Sequence, residues 1–154
     1  MEIEIRKIEN AEEKRRICRV ILEALPEWFG IPEAREEYVS ESADKLFFAA
    51  MDGENPVGFL CLKETGRDTV ELYVMGVLKA RHRTGAGRAL VEAAKQTARE
   101  AGYAFMQVKT VQMGKYAEYD ATNRFYLAMG FREFEVFPHL WDEWNPCQVY
   151  VMGL

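Results

Sequence analysis

The run DTVELYVMGVLKARHRTGAGRALVEAAKQTAREAG, residues 68–102, allows few folds. Its first part alternates as a strand does, with Val70, Leu72 and Val74 on one face and Glu71, Tyr73 and Met75 on the other. Its last part sets Leu90, Ala94, Ala98 and Ala101 on one helical stripe from about Gly87, and Gly102 is suited to stop that helix. Between strand and helix, two glycines stand among His82, Arg83 and Arg88. The first amides of a helix have no partner within it, and the helix dipole adds partial positive charge there. Glycine leaves no Cβ in the way of an anion. The turn therefore suits a diphosphate, with Arg83 and Arg88 adding charge-assisted contacts.

Two common phosphate motifs do not fit. A P-loop needs Lys-Ser/Thr after its last glycine, and Gly87 is followed by Arg88 and Ala89. A dinucleotide fingerprint needs a third glycine where this chain has Leu90. A nucleotide-binding domain is thus disfavoured. The net charge of -5 makes the basic cluster a local device and argues against nucleic acid as a partner.

The other segments complete an alternating order. Residues 3–8 alternate as a strand. Asn10 suits an N-cap with Glu13 three residues on, and Ile17, Val20, Ile21 and Leu25 repeat at helical spacing until Pro26. Pro32 opens a second, short helix. Residues 45–66 read as two strands joined at Asp52-Gly53. Residues 104–111 form a fifth strand, 119–130 a helix ending at Gly130, and 131–137 and 147–154 two last strands around the aromatic loop PHLWDEWNP. The sum is an α/β (α+β) domain: a mixed, mostly antiparallel sheet of six or seven strands with about four flanking helices. At 154 residues, one domain spanning 1–154 is expected. Nothing is apolar enough to span a bilayer and the N-terminus is no secretory signal, so no membrane and a cytoplasmic location are expected. Cys18, Cys61 and Cys147 lack metal or redox spacing and read as small buried residues; a nucleophilic Cys147 would have no base near it in sequence.

His82-Arg83-Thr84-Gly85-Ala86-Gly87 resembles the coenzyme signature Arg/Gln-x-x-Gly-x-Gly/Ala of the GNAT acyltransferase superfamily, with His82 in the Arg/Gln slot. Glu71 and Val77 match the spacing between a catalytic carboxylate and the last coenzyme contact of strand four. RFYLAMGF, residues 124–131, resembles the C-terminal family motif, with Tyr126 on its tyrosine; Tyr119 holds the slot of an asparagine common in relatives, and Asn123 lies too close to replace it. Tyr119, Thr122, Phe125 and Tyr126 resemble a variant of one bacterial subgroup.

The resemblance implies a GNAT-like fold and transfer of an acyl group, usually acetyl, from acetyl-CoA to an amine of a small molecule or protein. It implies that main-chain groups of Met75 and Val77 pair with the pantetheine arm like an added strand. It implies that His82, Arg83, Thr84, Gly85, Ala86, Gly87, Arg88 and Ala89 hold the diphosphate, with Thr122 a further coenzyme contact. Glu71 is then the candidate base and Tyr126 the candidate acid for the departing thiolate. The amide of Met75 would stabilise the developing oxyanion, and Gly76 fits a local bulge. Trp28, Phe29, Tyr73 and Trp141 are candidates for the acceptor pocket, where the acidic residues of segment 26–45 would suit a cationic amine. No metal is expected, a homodimer is possible for such domains, and the alternative function is a non-catalytic acyl-CoA sensor.

Overall fold

The side chain of Asn10 accepts the amide of Glu13 at 2.9 Å, so the first helix starts where the capping pattern predicts. The structure is a computed structural model that describes residues 2–154. Its elements are β1 (Glu4–Lys7), α1 (Ala11–Glu23), α2 (Pro32–Ser42), β2 (Leu46–Asp52), β3 (Asn55–Gly66), β4 (Thr69–Val77), α3 (Ala86–Glu100), β5 (Phe105–Val111), α4 (Ala117–Ala128), β6 (Arg132–Phe137) and β7 (Cys147–Gly153). Among the described residues the strands form one seven-stranded sheet in the order β1-β2-β3-β4-β5-β7-β6. The β4–β5 pair is parallel, and β1–β2, β2–β3, β5–β7 and β6–β7 are antiparallel. No helix among the described residues is long and apolar enough to cross a membrane.

The chain divides into two compact units. One comprises the chain up to Lys63 with Tyr73–Thr97; the other comprises Glu64–Leu72 with Ala98–Leu154. In the first unit, β2 and β3 form a hairpin whose turn uses Gly53 at φ 61. Ile17, Ile21 and Leu22 of α1 pack with Val39 of α2, Phe47 of β2 and Phe59 of β3 in one apolar cluster. Val20, read as part of the buried stripe, is 47% exposed; Cys18 and Leu22 take the inward positions because the stripe is centred one residue to their side. α2 has no basic residue in its last turn. Lys14 of α1 supplies the cation instead, its Nζ 2.7 Å from the carbonyl of Lys45 and 3.4 Å from that of Ala43.

β4 departs from the expected alternation. Tyr73 and Val74, consecutive residues, both pack against this apolar cluster. Gly76 serves close approach: a Cβ there would lie 2.9 Å from Leu25 Cδ1 and 3.0 Å from Ile21 Cγ2. The bare strand lets α1 settle onto it.

In the second unit the parallel ladder runs from Thr69–Phe105 to Leu72–Val108; β4 itself continues to Val77 and β5 to Val111. β5 pairs along its whole length with β7, from Phe105–Gly153 to Val111–Cys147. β6 pairs with β7 and slips register between Glu133 and Glu135, leaving Phe134 exposed. Gly102 stops α3 at φ 92 and Gly130 follows α4 at φ 102, both as expected. Leu90, Ala94 and Ala98 of α3 are buried, but Ala101 lies past the helix end and is exposed.

Candidate active site

β4 ends at Val77, a 3-10 turn over Lys79–Arg81 follows, and α3 begins at Ala86. Arg81 is committed inside the protein, its Nη2 2.6 Å from Asp52 Oδ2 on the β2–β3 hairpin. The hydroxyl of Thr84 donates to the carbonyl of Arg81 at 2.5 Å. Arg83 has φ 64, the only non-glycine in the left-handed region among the described residues, and Gly85 has φ 92. Each such residue other than glycine costs on the order of 1 kcal/mol, and turns of this kind gather successive amides toward an anion.

The amides of this turn are not equivalent. His82 N–H donates to Lys79 O at 3.2 Å, Thr84 N–H to Arg81 O at 3.4 Å and Ala89 N–H to Gly85 O at 2.9 Å. The amides of Ala86, Gly87 and Arg88 fall in the first turn of α3, where the helix provides no carbonyl. Of the residues expected to grip a diphosphate by their amides, His82, Thr84 and Ala89 are thus already engaged by the protein. The side chains of Arg83 and Arg88 are exposed and, among the described residues, make no ion pair. The His82 ring takes a role the sequence did not suggest. Its Nε2 stands 2.7 Å from the carbonyl of Val77, and its edge meets Trp28 at 5.9 Å between ring centroids.

The aromatic residues of the first unit form a chain of edge-to-face contacts, Phe29 on Tyr38 and Tyr38 on Tyr73. The ammonium groups of Lys45 and Lys63 lie 5.5 and 5.2 Å from the Tyr73 ring centre. Part of the acidity expected to receive a cationic amine is tied up in ion pairs. Glu27 pairs with Lys79, Glu36 with Arg19, and Glu41 and Asp44 with Lys45. Glu33 and Glu37 of segment 26–45 are exposed and are in none of these pairs.

In the second unit, Glu71 is only 8% exposed, and its Oε1 lies 3.1 Å from Lys109 Nζ on β5. The Cys147 thiol is buried; burial pushes it up to about 11, with Lys109 lowering and Glu71 raising it. Burial of the thiol argues against a nucleophilic Cys147. Tyr126 is 6% exposed and packs edge-on against Phe131 and beside Tyr150. Thr122 donates its hydroxyl back to the carbonyl of Glu118 at 3.1 Å. Trp141 is exposed in the loop between β6 and β7. Asp142 orders that loop, accepting the amides of Trp144 and Asn145 at 2.7 Å each and the side-chain amide of Asn145 at 2.9 Å. Those bonds, the Asn145 side chain first, hold its carboxyl below the usual range.

Two residues to which the sequence assigned no role prove central to this unit. Asn123 is fully buried; its Nδ2 donates to the carbonyls of Val111 and Tyr119 at 2.8 and 2.7 Å, and its Oδ1 accepts the Tyr150 hydroxyl at 2.6 Å. Lys109 is the other. Its signal was the one charged residue in the strand AFMQVKTV. Among the described residues, no group of three His, Cys, Asp or Glu is arranged to hold a metal.

The model of the acetyltransferase (GNAT) family matches residues 11–131. Three solved structures are similar. A GNAT-family protein from Desulfovibrio desulfuricans has TM-score 0.82 and 21% identity, covering 99% of both chains. An aminoglycoside 6'-N-acetyltransferase complexed with coenzyme A has TM-score 0.76 and 17% identity, covering 97% of this chain and 96% of the other. The ribosomal-protein-S18-alanine N-acetyltransferase from Escherichia coli has TM-score 0.78 and 17% identity, covering 99% of this chain and 94% of the other. No curated protein sequence matches the chain. The chain belongs to the GNAT family of acetyltransferases.

Proposed function

We propose that this chain transfers the acetyl group of acetyl-CoA to a primary amine of a small molecule or a protein. The observation that carries the reading is the turn before α3. Two left-handed residues, Arg83 and Gly85, lead into first-turn amides at Ala86, Gly87 and Arg88, with two exposed arginines beside them. This set fits a diphosphate by charge, donor count and open space. Met75 and Val77 are assigned to the pantetheine arm through their main chain, and Thr122 remains a candidate coenzyme contact.

When bound, acetyl-CoA supplies the acetyl carbonyl and a thiolate leaving group, so that a C–N bond forms as the C–S bond breaks. The acceptor must first be neutral. An alkylammonium has a pKa near 10, so at pH 7 its deprotonation costs about 4 kcal/mol. Glu71 accepts that proton, directly or through a water, as general base. Tyr126 gives its phenolic proton to the departing sulfur. The Met75 amide donates to the carbonyl oxygen as negative charge develops. Trp28, Phe29, Tyr73 and Trp141 are assigned to the acceptor; with Glu27, Glu36, Glu41 and Asp44 in ion pairs, aromatic contact carries much of its recognition. The similar structures include enzymes named for an aminoglycoside and for a ribosomal-protein alanine, and both acceptor classes belong in the test. The same reading takes residues 1–154 as one catalytic domain acting in the cytoplasm.

The test is thiol release from acetyl-CoA with a panel holding an aminoglycoside, a polyamine and a peptide with N-terminal alanine, read with the mass of the product. Amine-dependent release with one acetyl gained by the amine is expected. Coenzyme binding with no release from any amine would instead support an acyl-CoA sensor.

A further inference from the structure

We propose that Lys109 is a positioning residue that aims the Glu71 carboxylate, an inference that rests on Glu71 acting as the base. Glu71 and Lys109 lie on the paired strands β4 and β5. In their parallel register Glu71 stands directly across from Gln107, and Lys109 is the next residue on the same side. Gln107 does not serve the carboxylate, since its side-chain amide donates to Thr65 Oγ1 at 2.9 Å. Lys109 therefore meets Glu71 on the diagonal, Nζ to Oε1 at 3.1 Å. It is the one ionic partner of Glu71 among the described residues. The side chains of the pair are 28% and 11% exposed, so Glu71 is the more enclosed member.

Stability alone does not account for a charge pair set into a sheet. Apolar residues of similar volume are commonly as stable there, whereas removing one partner leaves an uncompensated charge. A fixed base does account for it. A glutamate carboxylate on three rotatable bonds can turn away from a proton it must accept, and misplacement by about 1 Å can cost roughly 100-fold in rate. With Oε1 held by an ammonium carried on the neighbouring strand, the directions open to Oε2 are restricted. The buried Cys147 thiol on β7 is the other titratable group influenced by both charges. Its raised pKa keeps it a neutral neighbour.

The test is a double-mutant cycle on the whole protein with Glu71→Gln, Lys109→Met and both together, plus Lys109→Arg. Rates use acetyl-CoA and the fastest amine of the panel named above; coenzyme A affinity and thermal melting are measured on each variant. Glu71→Gln should lower kcat by roughly 100-fold or more, and Lys109→Met by roughly 10- to 100-fold. Neither should change the KM for acetyl-CoA or the affinity for coenzyme A. The double variant should be no slower than Glu71→Gln alone and should melt above Lys109→Met, because no carboxylate is left unpaired. Lys109→Arg should recover most of the rate. If Lys109→Met is too unstable to assay, the double and arginine variants still decide. A slow Glu71→Gln with a fast Lys109→Met, or additive losses in the double variant, overturns the positioning role and leaves the base in place. An unimpaired Glu71→Gln overturns the base reading and the role of Lys109 with it.

Discussion

The imidazole Nε2 of His82 stands 2.7 Å from the main-chain carbonyl of Val77, closing the basic turn onto the last residue of β4. A ring nitrogen beside a carbonyl must carry its hydrogen, so the neutral ring here is the Nε2–H tautomer. His82 thus replaces the Arg or Gln of the family signature with a short clip that fixes the turn by its side chain.

Replacing His82 with alanine should loosen that turn without unfolding the chain, because the residue is exposed. One neutral hydrogen bond is worth about 0.5–1.5 kcal/mol. If coenzyme binding needs the fixed turn, coenzyme A affinity falls roughly 2- to 10-fold by calorimetric titration, with little change in melting temperature. An unchanged affinity would make the clip irrelevant to binding.

Gly76→Ala should destabilise by overpacking. The added Cβ meets Leu25, just past α1, and Ile21 of α1 at 2.9 and 3.0 Å, and both contacts are with side-chain methyl groups that can shift part of the way. A loss of about 1–3 kcal/mol is expected, or roughly 3–10 °C in a chain of this size. Melting curves check it; a variant as stable as the wild type would mean that α1 is not seated against the bare strand.

Asn123→Ala should be among the more damaging single changes in the second unit. It strands the Tyr150 hydroxyl and takes a side-chain donor from the Val111 and Tyr119 carbonyls, all partners of one fully buried side chain. Leaving buried polar groups without partners costs about 1–3 kcal/mol each at most sites, so a loss of roughly 3 kcal/mol or more is expected in denaturant titration. Asn123→Asp should not rescue it, because a carboxylate has no hydrogen to give the two carbonyls.

The three thiols should be silent toward alkylating reagents in the folded protein at pH 8. Burial pushes Cys18 up to about 12 and Cys147 up to about 11, and it drives Cys61 well above the ordinary thiol value. The folded state therefore keeps protons that the unfolded chain releases above about pH 9. Their contribution to stability is complete below that pH and declines as pH rises from there through 11 and 12. Denaturant midpoints at pH 8 and pH 10.5 should differ in that direction, and fast labelling of the native protein would contradict the burial.

Much of this was readable from local pattern. Asn10, Gly53, Gly102 and Gly130 did what capping and turn chemistry assign to them, because each acts on its own backbone within a few residues. The elements followed from period alone. What escaped were relationships made by the sheet and by packing. Strict alternation placed Tyr73 and Val74 on opposite faces, whereas both meet the cluster under α1 and α2. The acidic segment looked like a receptor for cations because two of the cations that pair with it, Arg19 and Lys79, come from elsewhere in the chain, and Lys45 at its own end turns back onto Glu41 and Asp44. Lys109 and Glu71 are 38 positions apart in sequence, 109 minus 71, and only the parallel register of β4 with β5 brings them to a diagonal. Val20 and Ala101 failed for a simpler reason: an apolar residue at the edge of a stripe or past a helix end need not be covered.

Whether the turn before α3 holds a diphosphate decides whether this chain can bind coenzyme A as proposed. A Cβ at Gly85 would meet nothing within 4 Å, so a side chain there does not crowd the fold; its cost comes from φ 92 and from what it puts beside the amides. Gly85→Asp places a carboxylate where the phosphates are assigned, and like charges so juxtaposed cost several kcal/mol. The deciding measurement is calorimetric titration of coenzyme A into the wild type and Gly85→Asp, with melting curves to show that both are folded. A one-to-one isotherm for the wild type, weakened roughly 100-fold or lost in the folded variant, is the predicted result. Equal affinity in the two proteins, or no binding to the wild type, would contradict it.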